Sequence, residues 1–180
     1  NNRTINFSLV GYTNSGKSLL FNNLVKSKIL SKNQLFSTLD TTTRKIFLDQ
    51  NISSTISDTV GFINKLPTIL VESFKSTLEE AINADILLHV IDYSNDDYEE
   101  KIQTVDTILE DLGLSDVPKL LIKNKVDIID HEIKKLNLNN SYISQVTTSA
   151  KEGTGLRDLR NLLSNIGCDL MRKKEKIYIY

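Results

Sequence analysis

Eight residues near the start of the sequence have the types and spacing of a phosphate-binding loop. They match the pattern GxxxxGK[ST] and lie between a predicted strand and a predicted helix: Gly11, Tyr12, Thr13, Asn14, Ser15, Gly16, Lys17 and Ser18. The glycines allow the backbone to curl so that successive N–H groups point at phosphate oxygens, and the helix adds its positive N-terminal end. This pattern predicts that Lys17 reaches the β- and γ-phosphates of a nucleotide and that the Ser18 hydroxyl is a ligand of Mg²⁺.

Two further motifs have the chemistry to recognise guanine. The first, Asn124, Lys125, Val126 and Asp127, follows a predicted strand, so that a carboxylate can accept hydrogen bonds from the N1–H and N2 amine of the base. Adenine offers neither donor, and binding it would leave that buried carboxylate unpaired. The second motif also follows a strand, and its backbone N–H groups are candidates for guanine O6: Ser149, Ala150 and Lys151.

A fourth segment, Asp58, Thr59, Val60 and Gly61, follows another short predicted strand. A carboxylate at this position can hold the water shell of Mg²⁺, and the Gly61 N–H can contact a γ-phosphate. Four polar or small residues in a loop are common by themselves. The four motifs support one another because they occur in this order and each follows a strand.

The elements that carry these motifs alternate between strands and helices. We predict strands at Ile5–Val10, Ile46–Leu48, Ser53–Ser57, Ile86–Asp92, Lys119–Lys123 and Tyr142–Thr148. Helices are predicted after the phosphate-binding loop and at Ser73–Ala84, Glu99–Leu112 and Leu156–Ile166. This alternation indicates an α/β fold with a mostly parallel central sheet and helices on both faces, and ligands bind such sheets at the carboxyl ends of the strands.

The composition is that of one ordinary globular domain and excludes several classes of protein. The 180 residues contain 22 Lys and Arg against 23 Asp and Glu, so no global positive charge drives nucleic-acid binding. The lone Cys168 allows neither an internal disulfide nor a cysteine zinc site, which favours a reducing compartment. No apolar run approaches the length of a membrane span, so we expect no integral membrane segment.

The wider sequence resembles the G domain of the HflX family, within the translation-factor-like GTPases that have a Ras-like fold. The similarity covers about residues 5 to 167 and lies in the segments LVGYTNSGKSLLFNNL, QLFSTLDTTTRK, SDTVGFINKLPTILVESFKSTLEEAINADILLHVIDYSNDDYEE and KNKVD. The resemblance implies a cytoplasmic, monomeric GTPase that uses Mg²⁺, binds GTP and GDP, and associates with the RNA and protein of the large ribosomal subunit. It also implies a role in splitting stalled or idle ribosomes.

The resemblance further implies a switch I segment and a domain organisation. The segment is Phe36, Ser37, Thr38, Leu39 and Asp40, with Thr38 meeting both Mg²⁺ and the γ-phosphate. The residues alone leave Thr38, Thr41, Thr42 and Thr43 open for that role. The implied Mg²⁺ ligands are thus Ser18, Thr38 and Asp58. Residues 1–167 are expected to form the G domain and 168–180 the start of a truncated C-terminal domain, with an N-terminal domain absent from the chain.

The catalytic assignment rests on Lys17, Thr38, Gly61 and Asn14 and has one gap. Ras-like enzymes orient the attacking water with a Gln after the DxxG glycine, but this chain has Phe62, which has no hydrogen-bonding group. We therefore expect slow hydrolysis without a partner. Two interpretations of Asn14 stay open: it holds a potassium ion against the phosphates, or it stabilises the loop.

Three alternatives to a ribosome-activated GTPase follow from the same residues. A GTP-gated binding module with little hydrolysis is compatible with Phe62. An assembly factor similar to the Obg or Era GTPases shares the nucleotide motifs, although the long match over residues 57–100 favours the HflX family. A P-loop kinase or ATPase would require the presence of Asp127 to be coincidental.

Overall fold

The computed structural model describes residues 4–26, 42–48, 52–59 and 83–176. The strands are β1 (Ile5–Val10), β2 (Thr42–Phe47), β3 (Ser53–Asp58), β4 (Ile86–Asp92), β5 (Lys119–Asn124) and β6 (Tyr142–Thr147). The helices are α1 (Lys17–Val25), α2 (Tyr98–Asp111) and α3 (Leu156–Lys176), and a short 3-10 helix spans Val126–Ile128. None of the helices in these ranges combines the length and the apolar character that crossing a bilayer requires.

The six strands form one sheet in the order β2-β3-β1-β4-β5-β6. β2 pairs with β3 in antiparallel fashion, and the other neighbours are parallel. All seven residues of β4 and all six of β5 are buried, as expected for central strands of a sheet that is covered on both faces. The predicted α/β fold with a mostly parallel sheet is confirmed.

The helices pack on the two faces of the sheet through clusters of apolar side chains. On one face, Leu20 of α1 and Leu159 of α3 pack with Phe7 of β1 in the largest cluster of buried residues. On the other face, Val105 and Leu109 of α2 pack with strand residues that alternate with those of the first face. Burial of these side chains stabilises the fold by about 1.5–3 kcal/mol for each large residue.

Five of the six strand predictions agree with the structure to within one residue, but β2 begins at Thr42, four residues before the predicted start at Ile46, because residues 42–45 pair with residues 55–58 of β3. The last helix is also longer than predicted. α3 continues ten residues past the predicted end at Ile166, to Lys176. Gly167, a residue type that often ends helices, lies inside it, where a Cβ atom would come within 3.5 Å of Ile52. Leu170 and Met171 pack against the main cluster, and Lys174 pairs with Asp85 at 2.6 Å. These contacts hold the extension on the sheet.

The structure does not test two predictions on the organisation of the chain. Most of the predicted helix Ser73–Ala84 lies outside the described residues. The expected boundary between residues 167 and 168 falls within the continuous helix α3, and the division into two domains remains a prediction.

A buried polar network joins α2 to three strands. The Tyr142 hydroxyl donates to Asp106 (2.8 Å) and accepts a hydrogen bond from Nδ1 of His89 (2.6 Å), while Lys119 also donates to Asp106 at 2.7 Å. His89 is fully buried, and its Nε2 is without a hydrogen-bond partner in the described part of the chain. Burial lowers the pKa of His89 to about 4, so the imidazole is neutral near pH 7. His89 is therefore a neutral residue of the protein core.

We expect acidification to destabilise the fold through His89. In the unfolded chain the imidazole has a pKa near 6.5, so the unfolded state gains a proton first as the pH falls below that value. The free energy of unfolding should therefore fall by about 1–1.5 kcal/mol between pH 7.5 and 5.5. Urea denaturation at the two pH values measures the free energy of unfolding of the wild type and of the His89→Phe variant. In the variant, most of the decrease between the two pH values should be absent.

The second histidine provides the control for this experiment. His131 is partly exposed, and its Nδ1 lies 3.4 Å from the exposed Asp130. The His131→Gln variant should keep the pH dependence of the wild type. Equal pH dependence in the wild type and in the His89→Phe variant would contradict the assignment.

Candidate nucleotide-binding site

The loop between β1 and α1 has a conformation that two glycines make possible. Gly11 has φ 150°, and a Cβ atom there would lie 2.4 Å from the carbonyl oxygen of Val90. Gly16 has φ 86° and precedes α1, and a Cβ atom there would lie 2.3 Å from Nδ2 of Asn124. A side chain at either position would therefore push the loop away from β4 or β5. The buried Ser15 hydroxyl donates to the carbonyl of Tyr12 at 2.8 Å and closes the turn.

The end of β3 supplies the acidic partner of this loop. Lys17 is buried, and its ammonium group donates to the carboxylate of Asp58 and to the carbonyl of Thr59. Ser18 lies one residue further along α1, and its hydroxyl donates to the other carboxylate oxygen of Asp58 at 3.2 Å. The Thr59 hydroxyl donates to the carbonyl of Leu9 at 2.5 Å and fixes the chain after β3 against β1. The structure thus brings two of the predicted motifs together.

Ser18 and Asp58 fit a magnesium ion. Mg²⁺ prefers hard oxygen ligands in octahedral geometry, and neighbouring ligands at its usual bond lengths lie about 3 Å apart. The 3.2 Å between Ser18 Oγ and Asp58 Oδ2 matches this spacing. Thr38, the third expected ligand, lies outside the described residues. Thr43, one of the threonines that stayed open for its role, pairs its hydroxyl with Ser57 at 2.8 Å within the sheet.

Asn124, the last residue of β5, joins the phosphate loop to the base-recognition loops. Its Nδ2 donates to the carbonyl of Ser15 at 2.9 Å. Its Oδ1 accepts from the Thr148 hydroxyl and from the N–H of Ala150, both at 3.0 Å. The side chain is 1% exposed, so its amide acts chiefly through these protein contacts.

Asp127 is the base-recognition residue whose side chain faces solvent. One carboxylate oxygen accepts a hydrogen bond from the Ser149 hydroxyl at 2.7 Å, while the residue as a whole is exposed. Ser149 therefore orients the carboxylate. Because the Ala150 N–H already donates to Asn124, the backbone N–H of Lys151 is the better candidate donor for guanine O6.

Other predicted site residues contribute packing or lie outside the described ranges. The Tyr12 side chain is 8% exposed and packs against the α2 side of the sheet, and Val126 packs beside β4 and β5. Thr13 and Asn14 are exposed on the loop. The predicted residues outside the described part of the chain are Phe36, Ser37, Thr38, Leu39, Asp40, Val60 and Gly61, together with Phe62.

The sequence analysis did not include Asp92 among the site residues. In the structure, one of its carboxylate oxygens accepts a hydrogen bond from the Ser94 N–H at 3.0 Å and so stabilises the turn after β4. The other carboxylate oxygen of Asp92 lies 3.0 Å from the ammonium of Lys125. The available signal was the position of Asp92 at the end of β4, where the sheet places it beside the motifs.

Comparison with known proteins identifies this arrangement. Residues 6–125 match the family described as "50S ribosome-binding GTPase". The chain is 54% identical over 126 residues to the GTPase HflX of Alkalihalophilus pseudofirmus, with 70% of this chain and 30% of that protein covered. It is 43% identical over 173 residues to the GTPase HflX of Lacrimispora saccharolytica, with 96% and 40% covered. The chain thus spans well under half the length of these relatives.

A solved structure has the same fold. The crystal structure of a GTP-binding protein from Sulfolobus solfataricus in complex with GDP superposes with a TM-score of 0.75 at 31% identity, covering 92% of this chain and 53% of that one. Fold, site and family match together define a P-loop GTPase domain. The chain belongs to the HflX family of GTPases.

Exchange of the base-recognition carboxylate should change the preferred nucleotide. Asp127→Asn replaces an acceptor with an NH₂ group opposite the guanine N1–H and N2 amine, whereas xanthine offers a carbonyl at position 2. We expect the affinity for GDP to fall roughly 100-fold and the variant to prefer the xanthosine diphosphate, because the N1–H and N2 amine of guanine would lose their acceptor and face another donor. Titration with the two diphosphates measures this.

Asp130→Asn is the matched control for this change. It removes the same charge from an exposed side chain three residues away, and GDP affinity should stay within about twofold of the wild type. An Asp127→Asn chain that retains wild-type affinity for GDP would contradict the assigned role.

Proposed function

We propose that the chain hydrolyses GTP with the help of Mg²⁺ and that it works on the large ribosomal subunit to split stalled or idle ribosomes. The observation that carries the GTPase proposal is the Asn124 amide, which bonds the phosphate loop at Ser15 and the Ala150 loop at once. A phosphate-binding loop and a guanine-binding loop held at this fixed separation suit one guanine nucleotide. The family description, "50S ribosome-binding GTPase", supports the ribosomal partner.

The side chains of the loop have distinct roles in this proposal. Lys17 binds the β- and γ-phosphates, and its flexible stem allows the ammonium to reach them from Asp58. Ser18, Asp58 and Thr38 hold Mg²⁺, which supplies charge stabilisation at the phosphates when bound. The Gly61 N–H contacts the γ-phosphate. In this proposal the chain acts as a monomer in the cytoplasm.

With Phe62 in place of the usual glutamine, another group must orient the attacking water, and we propose that the ribosome provides it. A phenyl ring cannot orient the attacking water, so backbone groups, another side chain or the ribosome must do so. GTP turnover by the chain should therefore be slow alone and rise at least tenfold with purified large ribosomal subunits in potassium buffer. A coupled phosphate-release assay measures both rates, and small subunits are the control.

The same assay separates this proposal from the two remaining alternatives. Binding of the GTP-loaded chain to large subunits without stimulated turnover would favour a GTP-gated binding module. Preference for incomplete subunits over mature ones would favour an assembly factor similar to Obg or Era. Fast turnover by the chain alone, unchanged by ribosomes, would refute the dependence on a partner.

Asn14 is the proposed site for a potassium ion beside the phosphates. It is exposed on the loop, and its backbone carbonyl is held by the Lys125 ammonium at 2.6 Å, which fixes the residue while its amide faces outward. A cation held there would neutralise charge that develops between the phosphates. Turnover stimulated by ribosomes should be several-fold faster in potassium chloride than in sodium chloride. The Asn14→Ala variant should have equal rates in the two salts.

Thr13→Ala is the control for this comparison, because Thr13 is an exposed neighbour on the same loop. Its ratio of potassium to sodium rates should equal that of the wild type. Equal rates in the two salts for the wild-type chain would leave Asn14 with the loop-stabilising role alone.

A further inference from the structure

Lys125 has a backbone conformation that needs outside support. Its φ of 66° lies in the left-handed region, which is sterically unfavourable for a residue with a Cβ atom. The side chain turns back over the phosphate loop, where its Cε lies within 3.8 Å of a Cβ position on Gly16. Its ammonium donates to the carbonyl of Asn14 at 2.6 Å. This contact is a second link between the base-recognition loop and the phosphate loop, beside Asn124.

The carboxylate of Asp92 is built to hold that ammonium. Asp92 is 9% exposed, and its Oδ1 accepts from the N–H of Ser94 at 3.0 Å and from its hydroxyl at 2.5 Å. These bonds leave Oδ2 facing Lys125 at 3.0 Å. Burial alone would raise the pKa of Asp92, but the hydrogen bonds from Ser94 and Lys125 hold it below the usual value, so the group carries its charge.

The backbone places both partners at the same edge of the sheet. Asp92 pairs with Asn124 in the register of β4 and β5, so the ends of these strands bring Asp92 next to the residue before Lys125. The Tyr93 N–H donates to the Asn124 carbonyl at 3.0 Å and fixes the turn that follows. Among the described residues, Asp92 is the carboxylate within salt-bridge distance of Lys125.

We infer that Asp92 is a positioning residue for guanine-nucleotide binding, which holds the Lys125 ammonium on the Asn14 carbonyl and thereby fixes the base-recognition loop against the phosphate loop. This inference rests on the proposed function, since it assigns a role within the same nucleotide site. Asp92 does not touch the nucleotide. It acts by preorganisation: two loops that are already in register lose less freedom when one ligand bridges them.

The Asp92→Asn variant tests this role with little change in shape. An Asn that keeps its oxygen on Ser94 turns an NH₂ group towards the Lys125 ammonium, and two donors then face each other. We expect a fluorescent GDP analogue to dissociate about tenfold faster, because loss of preorganisation acts mainly on dissociation. Asp130→Asn, which removes an exposed charge, should dissociate at the wild-type rate within twofold.

A double-mutant cycle separates positioning from a general loss of stability. Lys125→Met keeps the apolar stem and removes the ammonium, so Asp92→Asn should cause less than a twofold further change in that background. Thermal unfolding without nucleotide gives the stability of each variant. Multiplicative losses in the double variant, or wild-type dissociation from Asp92→Asn, would overturn the inference.

Two further experiments distinguish failure of this inference from failure of the proposed function. Failure of the wild-type chain to bind the GDP analogue would refute the proposed function itself. If Asp92→Asn does not fold, Asp92→Glu retains the charge and displaces Lys125 by one methylene. It should then still speed dissociation several-fold, and a wild-type rate there would overturn the positioning role.

Discussion

The buried amide of Asn124 is the interaction on which the whole site depends. With one donor and one acceptor atom it satisfies the Ser15 carbonyl, the Thr148 hydroxyl and the Ala150 N–H, which come from two separate loops. Each partner would cost about 1–3 kcal/mol if it were left buried and unpaired. Gly16 is required at its position for the same reason, because the amide occupies the space a Cβ would need. One side chain therefore sets the distance between phosphate and base recognition.

Two lysine–carboxylate ion pairs lie beside the Asn124 amide, one on each side of β1. β3 and β4 are the neighbours of β1, and each ends in an aspartate, Asp58 and Asp92. Lys17 lies on the first carboxylate and Lys125 on the second. Parallel strands bring their carboxyl ends to one edge, so a loop between two such ends can be held by charge from both sides. The Asp92–Lys125 pair connects the phosphate loop to the base-recognition loop.

The sequence predicted what depends on local pattern. The strands from Ile5 and from Ile86 have the predicted bounds because continuous apolar runs are typical of covered strands, and the glycine spacing around Lys17 predicted the loop. The Asp92–Lys125 pair was missed because it joins side chains 33 positions apart. Likewise, the extension of α3 depends on contacts with Ile52 and Asp85. These tertiary contacts cannot be predicted from the periodicity of the helix sequence.

The polar contacts of α3 join it to α1 and β2. The guanidinium of Arg160 donates to the carbonyl of Leu24, near the end of α1, at 2.7 Å and to that of Phe47, at the end of β2, at 3.0 Å. One charged group thus satisfies carbonyls at two element ends that hydrogen bonds within those elements leave open. Leu24 lies at the opposite end of α1 from the phosphate loop, and Phe47 pairs with Ser53, at the opposite end of β3 from Asp58. Arg160 therefore holds α1 and the β2–β3 pair to α3 at the ends of these elements that lie away from the proposed magnesium site.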